Sequence, residues 1–222
     1  MIFSDRGDAG RQLAGALAHL RGRRPVVVAL VRGGLPVASE VAQALSAPLD
    51  IILVRKIGVP WQPELAVGAV VDGSRPELVI NPDVQQLAGI SQDYVEAEAK
   101  RQLAEIDRRR ALYLRGRPQQ ALQGRTVILV DDGIATGATT RAALRAARRQ
   151  RPAHLVLAVP VAAPDTLADL AEEADEIVCL HAPAAFGAVG AHYRDFHQLS
   201  DEEVVALLDR ASGSGSTPPP DG

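Results

Sequence analysis

Short apolar runs rich in β-branched residues alternate along this chain with longer segments of helical periodicity. A strand buried on both faces of a parallel sheet has such a continuous apolar sequence, because helices cover the sheet on either side. The strands predicted in this way are 26–31, 49–54, 65–71, 77–80, 127–130, 155–161 and 176–180. The predicted helices are 5–20, 35–45, 91–113, 139–150, 164–172 and 201–210. The alternation predicts an α/β fold in which helices flank a parallel sheet.

Composition limits the domain organisation and the classes of partner. The 222 residues are 47% apolar without a long uncharged run, which predicts one soluble domain over residues 1–211. Residues 212–222 are almost entirely Gly, Ser and Pro, and we expect a disordered tail there. Charged residues closely follow Met1, so neither a signal peptide nor a membrane span is predicted. The lone Cys179 fits a reducing cytoplasm, and the net charge of −3 gives no general attraction to nucleic acid.

An acidic pair, Asp131-Asp132, follows the predicted strand 127–130. Ligands of open α/β sheets bind beyond the carboxyl ends of the strands, so this pair is placed where a ligand would lie. Ionised carboxylates only accept hydrogen bonds, which suits the adjacent hydroxyls of a ribose.

The loop after the acidic pair has little side-chain bulk and leads into a predicted helix. Its backbone N–H groups can approach an anion closely, and the positive end of the helix dipole lies beside them. Three threonines add hydroxyl donors. The small residues are Gly133, Ala135, Gly137 and Ala138, and the threonines are Thr136, Thr139 and Thr140. Together with the acidic pair, this loop describes a site for a ribose 5-phosphate.

Other α/β proteins also contain an acidic pair followed by small residues. Receiver domains do so, but their acidic pair closes an early strand, whereas this one closes a late strand. Many glycine-rich loops bind nothing. The phosphate loop of nucleotide hydrolases requires Gly-x-x-x-x-Gly-Lys-Ser/Thr, which this chain lacks.

A second candidate site follows the strand 26–31, where Arg32, Gly33 and Gly34 precede a predicted helix. Pyrophosphate requires donors without bulk together with positive charge, and this turn supplies both. A simple glycine turn beside a surface arginine is the alternative interpretation.

A third candidate site is Arg55-Lys56, which follows the strand 49–54. Lysine is rare in this Arg-rich chain, which favours a specific role for the compact ammonium of Lys56, whereas Arg55 is as readily a surface charge. Gly58, Pro60 and Pro63 predict that residues 57–64 form a loop, which could serve as a lid that excludes water.

The stretch from Val127 to Thr140 resembles the phosphoribosyl diphosphate (PRPP) motif of type I phosphoribosyltransferases: an apolar strand, two acids, two residues, then a loop containing Thr-Gly-x-Thr. It departs from the motif at Gly133, where the family usually carries an aliphatic residue. The resemblance implies a type I phosphoribosyltransferase-like sheet flanked by helices, with a small hood subdomain.

The resemblance also assigns roles to residues. It implies that Asp131 and Asp132 hold the ribose hydroxyls, and that Arg32 and Lys56 are catalytic by stabilising the leaving group. It further implies an unusual peptide conformation between Arg32 and Gly33. The implied 5-phosphate site is Ala135, Thr136, Gly137, Ala138 and Thr139, and the implied pyrophosphate site is Arg32, Gly33, Gly34 and Lys56.

The implied reaction transfers ribose 5-phosphate from PRPP to a nitrogenous base and releases pyrophosphate. Such a pentosyltransferase of nucleotide metabolism uses Mg²⁺ held mainly by PRPP, so no protein metal site is expected. The expected partners are PRPP and a small-molecule base, without nucleic acid or membrane, and a homodimer is common in the family. The alternative is a regulatory protein that senses PRPP or a nucleotide without turnover.

The acceptor is only partly constrained by the sequence. The 6-oxopurine enzymes place an acid where this chain has Ala135, and the adenine-type members carry Ala-Thr-Gly there, as this chain does. Residues 181–196 combine glycines with Phe186, Tyr193 and Phe196, whose rings could stack on a planar base or could pack in the core.

Overall fold

The computed structural model describes residues 1–72 and 76–213, in which seven strands form one sheet in the order β4-β3-β2-β1-β5-β6-β7. The strands are β1 Val26–Val31, β2 Leu49–Val59, β3 Gln62–Val71, β4 Glu77–Ile80, β5 Thr126–Val130, β6 His154–Val161 and β7 Glu176–His181. Five adjacent strands pair in parallel, in the order β2, β1, β5, β6 and β7. Strands β3 and β4 extend the β2 edge in antiparallel fashion. The predicted α/β sheet is confirmed, with an antiparallel extension.

Helices cover both faces of the sheet. They are α1 Arg6–Ala16, α2 Gly34–Leu45, α3 Pro82–Leu87, α4 Gln92–Leu114, α5 Ala138–Arg149, α6 Pro164–Leu170 and α7 Asp201–Gly213. Helices α1, α2, α4 and α7 contribute buried residues to the core on one face, and α5 and α6 to the core on the other. Since each face has its own apolar core, the central strands β1 and β5 are apolar apart from Thr126 at the start of β5.

The register of the central strands creates one functional edge. Every residue of β5 is buried, and β1 and β5 pair in parallel with Ala29 opposite Val130. The chain segments that leave these two strands therefore emerge side by side at the carboxyl edge. Burial of each Val or Leu side chain contributes about 1.5–3 kcal/mol, which anchors both strand ends.

Strand β2 is longer than predicted, and the predicted loop over residues 57–64 is wrong. The chain continues to Val59, turns at Pro60 and Trp61, and returns as β3. Ile57 and Val59 are buried, so the alternating strand pattern extends beyond Val54. Gly58 lies at an irregularity of the register, and Pro60 lies in the turn, where no ladder hydrogen bond is lost.

Helix boundaries also differ from the prediction. The first predicted helix ends at Ala16 and a 3₁₀ helix, Ala18–Arg23, follows it. Helix α3 was not predicted, and none of its residues is buried. Helix α7 extends to Gly213, while the rest of the predicted tail lies outside the described residues. No helix in residues 1–72 and 76–213 is long and apolar enough to cross a membrane.

At the carboxyl edge, the residues before α1 pack against residues 182–200, and we call these two segments the hood. Phe3 forms a parallel bridge with Tyr193, and its amide donates to the His192 carbonyl over 2.8 Å. Phe3, Ala9, Val161 and Tyr193 form a small apolar core of their own. The hood is therefore held by contacts between segments that are distant in sequence.

Candidate active site

The carboxyl edge brings the first two predicted sites into direct contact. A Cβ atom on Gly33 would stand 2.2 Å from the Asp132 carboxylate oxygen Oδ2, and one on Gly34 would stand 2.5 Å from the Val130 carbonyl oxygen. Real Cβ atoms do not approach other atoms so closely. Only glycine at both positions allows the turn after β1 to lie against the acidic pair after β5.

The unusual peptide bond lies one position earlier than expected. The cis peptide joins Val31 to Arg32, so the predicted position between Arg32 and Gly33 is wrong. Gly33 itself has ordinary helical backbone angles, φ −57° and ψ −41°, and caps α2.

Arg32 extends towards the start of α7. Its Nη1 atom lies 3.8 Å from the Asp201 carboxylate, and its side chain is 25% exposed. Asp201 also accepts a hydrogen bond from the Tyr113 hydroxyl and lies 3.9 Å from Arg108. An acid from α7 thus faces the cation of the β1 turn.

The acidic pair is buried at the base of this edge. Asp131 is 9% exposed and Asp132 is 8% exposed. Burial raises the pKa of Asp131 well above its usual value, and the neighbouring charge of Asp132 raises it further. Burial also raises the pKa of Asp132, while the positive charge of Arg6 opposes that shift. A buried acidic pair is energetically costly to the fold, which points to a role other than stability.

Asp132 is held by Arg6, which the sequence interpretation missed, and by Tyr193, which it named only as a ring that could stack on a base or pack in the core. Arg6 Nε donates to Asp132 Oδ2 over 2.8 Å, and the Tyr193 hydroxyl donates to the Asp132 backbone carbonyl over 2.5 Å. Arg6 is separated from Asp132 by 126 positions and lies in the first turn of a helix at the sheet surface, so no local pattern marks it.

The loop after the acidic pair presents open backbone at the start of α5. Gly137 caps this helix with a φ of 72°, a left-handed conformation that favours glycine. Ala135 and Thr136 are exposed, and Ala138 and Thr139 occupy the first helical turn, whose N–H groups have no partner within a helix. Thr166 Oγ1 donates to the Ala135 carbonyl over 2.6 Å and fixes the loop from α6. The arrangement can accept an anion.

Gly133, the departure from the family pattern, lies against the hood. A Cβ atom there would stand 2.5 Å from Val189 Cγ1 and 3.0 Å from Val161 Cγ1. The Val189 methyl occupies the space that an aliphatic side chain at position 133 would need.

Lys56 lies within β2 rather than at its end, which corrects the predicted position. Leu53 pairs with Val31, so Lys56 lies three residues, about 10 Å, beyond the last residue of β1, on the hairpin that projects past the carboxyl edge. Its side chain is exposed. Arg55 points to the other face of the hairpin, donates to Gln102 over 2.8 Å, and has a pKa lowered by burial and by the charge of Arg109.

The three hood aromatics differ in their surroundings. Tyr193 is 6% exposed and stacks on Phe196 at 5.1 Å between ring centroids. The Arg6 guanidinium carbon lies 3.9 Å from the centre of the Phe196 ring. Phe186 stacks on His192 at 5.4 Å. Tyr193 is therefore a core residue of the hood, in agreement with the packing alternative predicted from the sequence.

Known proteins resemble this chain over most of its length. Residues 6–194 match the family model described as "Phosphoribosyl transferase domain". The Mycobacterium tuberculosis protein named "Putative phosphoribosyl transferase Rv0571c" is 53% identical over 211 residues, which are 95% of this chain and 47% of that protein. This chain therefore spans about half the length of the curated relatives that it matches.

Solved structures also resemble this chain. The crystal structure of TT1426 from Thermus thermophilus has 48% identity and a TM-score of 0.80, covering 94% of this chain and 98% of that one. A Neisseria gonorrhoeae hypothetical protein with bound ppGpp has a TM-score of 0.51 at 13% identity over 94% of this chain and 96% of its own, a likeness of fold alone. By its family match and by its identity to these relatives, the chain belongs to the phosphoribosyl transferase domain family.

Proposed function

We propose that this chain transfers ribose 5-phosphate from PRPP to a nitrogenous base and releases pyrophosphate. The observation that carries the proposal is the contact between the Arg32-Gly33-Gly34 turn and the Asp131-Asp132 pair at one sheet edge. In PRPP the pyrophosphate is bonded directly to the ribose. A turn that binds the pyrophosphate and acceptors that bind the ribose hydroxyls must therefore be adjacent. Membership of the phosphoribosyl transferase family supports a transferase.

In this proposal the sugar end of PRPP binds beyond β5. Asp131 and Asp132 accept hydrogen bonds from the ribose hydroxyls, and an ionised carboxylate can do so with both of its oxygens. The 5-phosphate lies at the start of α5, where the N–H groups of Ala135, Thr136, Gly137, Ala138 and Thr139 and the helix dipole favour an anion.

The diphosphate end binds beyond β1. The N–H groups of Gly33 and Gly34, together with Arg32 and Lys56, stabilise the negative charge that develops as pyrophosphate departs. The sugar becomes cation-like as the bond breaks, and the nearby carboxylates favour that charge. No covalent intermediate is needed, since the reaction is a displacement governed by charge and position.

In this proposal, magnesium enters the site bound to the phosphates of PRPP. Within the described residues, no group of three or more His, Cys, Asp or Glu could hold a metal ion. Mg²⁺ keeps several waters and takes substrate phosphates as ligands, so it would neutralise the diphosphate without a protein cage. We further propose that the protein is cytoplasmic, acts on small molecules and forms a homodimer.

The acceptor is tested with a panel of bases scored for pyrophosphate release at fixed magnesium and PRPP. Ala135 places an exposed methyl group where the 6-oxopurine enzymes have an acid that meets the base. We therefore expect faster pyrophosphate release with adenine-type bases than with guanine or hypoxanthine. Guanine or hypoxanthine as the best acceptor would contradict the inference from Ala135. PRPP binding without turnover across the whole panel would instead identify a PRPP sensor.

A further inference from the structure

Arg6 is a buried cation with three kinds of partner at the candidate site. Its side chain is 9% exposed. Nε donates to Asp132 Oδ2 over 2.8 Å, Nη1 donates to the His197 backbone carbonyl over 2.9 Å, and the guanidinium covers the Phe196 ring at 3.9 Å. These partners come from the turn after β5 and from the hood, so one side chain of α1 joins the acidic pair to the segment above it.

The Asp132 carboxylate is confined on two sides. On one side, the Arg6 guanidinium binds Oδ2. On the other side lies Gly33, where a Cβ atom would stand 2.2 Å from the same oxygen. The Tyr193 hydroxyl fixes the backbone of the same residue. A carboxylate held in this way presents its acceptor positions in one orientation, which reduces the entropy lost when a ligand hydroxyl binds.

The charge of Arg6 also opposes the effect of burial on the pKa of Asp132. Burial and the neighbouring carboxylate favour protonation of the pair, whereas a guanidinium at hydrogen-bond distance favours the ionised form. An ionised carboxylate can accept from ribose hydroxyls with both oxygens, whereas a protonated one uses one oxygen as a donor.

We propose that Arg6 is the positioning residue of the ribose site, and that its guanidinium holds the Asp132 carboxylate oriented and ionised for the hydroxyls of PRPP. This inference rests on the proposed function. Arg6 touches neither the diphosphate turn nor the 5-phosphate loop in the contacts described, so its effect is specific to ligands that carry the ribose.

The test compares PRPP with inorganic pyrophosphate as calorimetric probes, both with magnesium. In Arg6→Gln, we expect the PRPP dissociation constant to rise about 10- to 100-fold, because Asp132 loses the cation that orients its carboxylate and favours its ionised form. The pyrophosphate constant should stay within about twofold, since that probe has no ribose. With an accepted base, KM for PRPP should rise more than kcat falls.

Arg11→Gln is the matched control on the same helix. Arg11 is 59% exposed and its nearest carboxylate, that of Glu40, is 3.4 Å away, so PRPP affinity should be unchanged. Equal PRPP affinity in the wild type and Arg6→Gln would overturn the inference alone. Tighter PRPP binding by Arg6→Gln would overturn it too, since Arg6 would then compete with the ligand.

Two further outcomes separate folding from binding. If Arg6→Gln unfolds, Arg6→Lys carries the test: a PRPP constant raised about 3- to 10-fold with unchanged pyrophosphate affinity supports the inference, because lysine keeps the charge but lacks the planar fork. An unchanged PRPP constant in Arg6→Lys would then overturn it. Absence of PRPP binding by the wild type would overturn the proposed function and this inference together.

Discussion

The candidate site joins two kinds of structure that are held by different contacts. The turns after β1 and β5 leave neighbouring strands that are buried except at Val31, and they touch where Gly33 meets the Asp132 carboxylate and Gly34 meets the Val130 carbonyl. The residues that meet the same edge from α1, the hood and α7 do so through side chains alone, namely Arg6, Tyr193 and Asp201. In the proposed site, the sheet thus fixes the positions of the two turns, whereas Arg6, Tyr193 and Asp201 set the charge and orientation of the groups on those turns.

The terminal contacts are themselves unequal. Arg6 and Asp132 form a buried pair, and loss of one partner leaves a charge without compensation. Arg32 and Asp201 are 25% and 30% exposed and 3.8 Å apart, a geometry that contributes at most about 1 kcal/mol. We therefore expect the largest effects from changes to the turns and the smallest from changes at Asp201.

Gly33→Ala should have the largest effect, because it tests the closest contact between the two turns. Alanine readily adopts the backbone angles of Gly33, so only the collision of its methyl with Asp132 matters. We expect PRPP affinity to fall about 100-fold or more and the free energy of unfolding to fall by about 1–3 kcal/mol. Calorimetry and thermal unfolding measure both.

Gly15→Ala provides the control. Apart from neighbouring residues of α1 itself, no atom lies within 4 Å of a Cβ at Gly15, so alanine there should slightly stabilise the protein and leave PRPP binding intact. Normal PRPP affinity in Gly33→Ala would refute the close approach of the two turns.

Asp131→Asn should weaken binding and strengthen the fold. The amide oxygen of asparagine can still accept the Asp132 N–H, which donates to Asp131 Oδ1 over 2.9 Å, while the like-charge repulsion disappears. We expect PRPP affinity to fall about 10- to 100-fold and the free energy of unfolding to rise by about 1 kcal/mol at neutral pH. A variant that is less stable than the wild type would show that the buried carboxylate stabilises the fold.

The pH dependence of that stability difference has a definite sign. A raised pKa in the folded state means that the folded protein binds more protons than the unfolded chain, so the carboxyl group lowers stability as the pH rises above its unfolded pKa of about 4. The stability advantage of Asp131→Asn should therefore be larger near pH 8 than near pH 5. Thermal unfolding of both proteins across that range measures it, and a difference that shrinks with rising pH would contradict the assignment.

Gly133→Ala measures how tightly the hood presses on the β5 turn. Its methyl would meet Val189 Cγ1, and we expect a loss of about 1–3 kcal/mol of stability. Val189→Ala removes the obstructing methyl, so the double variant should recover about 1 kcal/mol relative to additivity. Denaturant unfolding of the four proteins gives this coupling, and additive effects would mean that the two side chains do not share the space.

Asp201→Asn should have the smallest effect. The asparagine oxygen can still accept from Tyr113, but Arg32 is released from a neighbouring negative charge. We expect pyrophosphate to bind about 2- to 5-fold more tightly. Asp209→Asn is the control on the same helix, α7. Asp209 pairs with Arg115 and Arg117, and its replacement should leave pyrophosphate binding unchanged. Weaker pyrophosphate binding in Asp201→Asn would show that Asp201 supports Arg32 rather than opposing the ligand.

The sequence predicted the parts of the molecule that depend on local patterns. Continuous apolar runs identified β1 and β5, and the residues that follow them meet at one edge, as expected from parallel pairing. The hairpin from β2 to β3 was missed because Gly58 and Pro60 resemble loop residues, while the pairing that accommodates them is set by a distant strand. Arg6 was missed because its partner is 126 positions away.

The most direct test of the proposed ribose phosphate site is a PRPP titration of the wild type and of a triple variant, Asp131→Asn with Asp132→Asn and Thr136→Val. We predict saturable, magnesium-dependent PRPP binding by the wild type and a loss of at least about 100-fold in the folded triple variant. Equal PRPP affinity in the two proteins would contradict the assignment of the β5 edge as the ribose phosphate site.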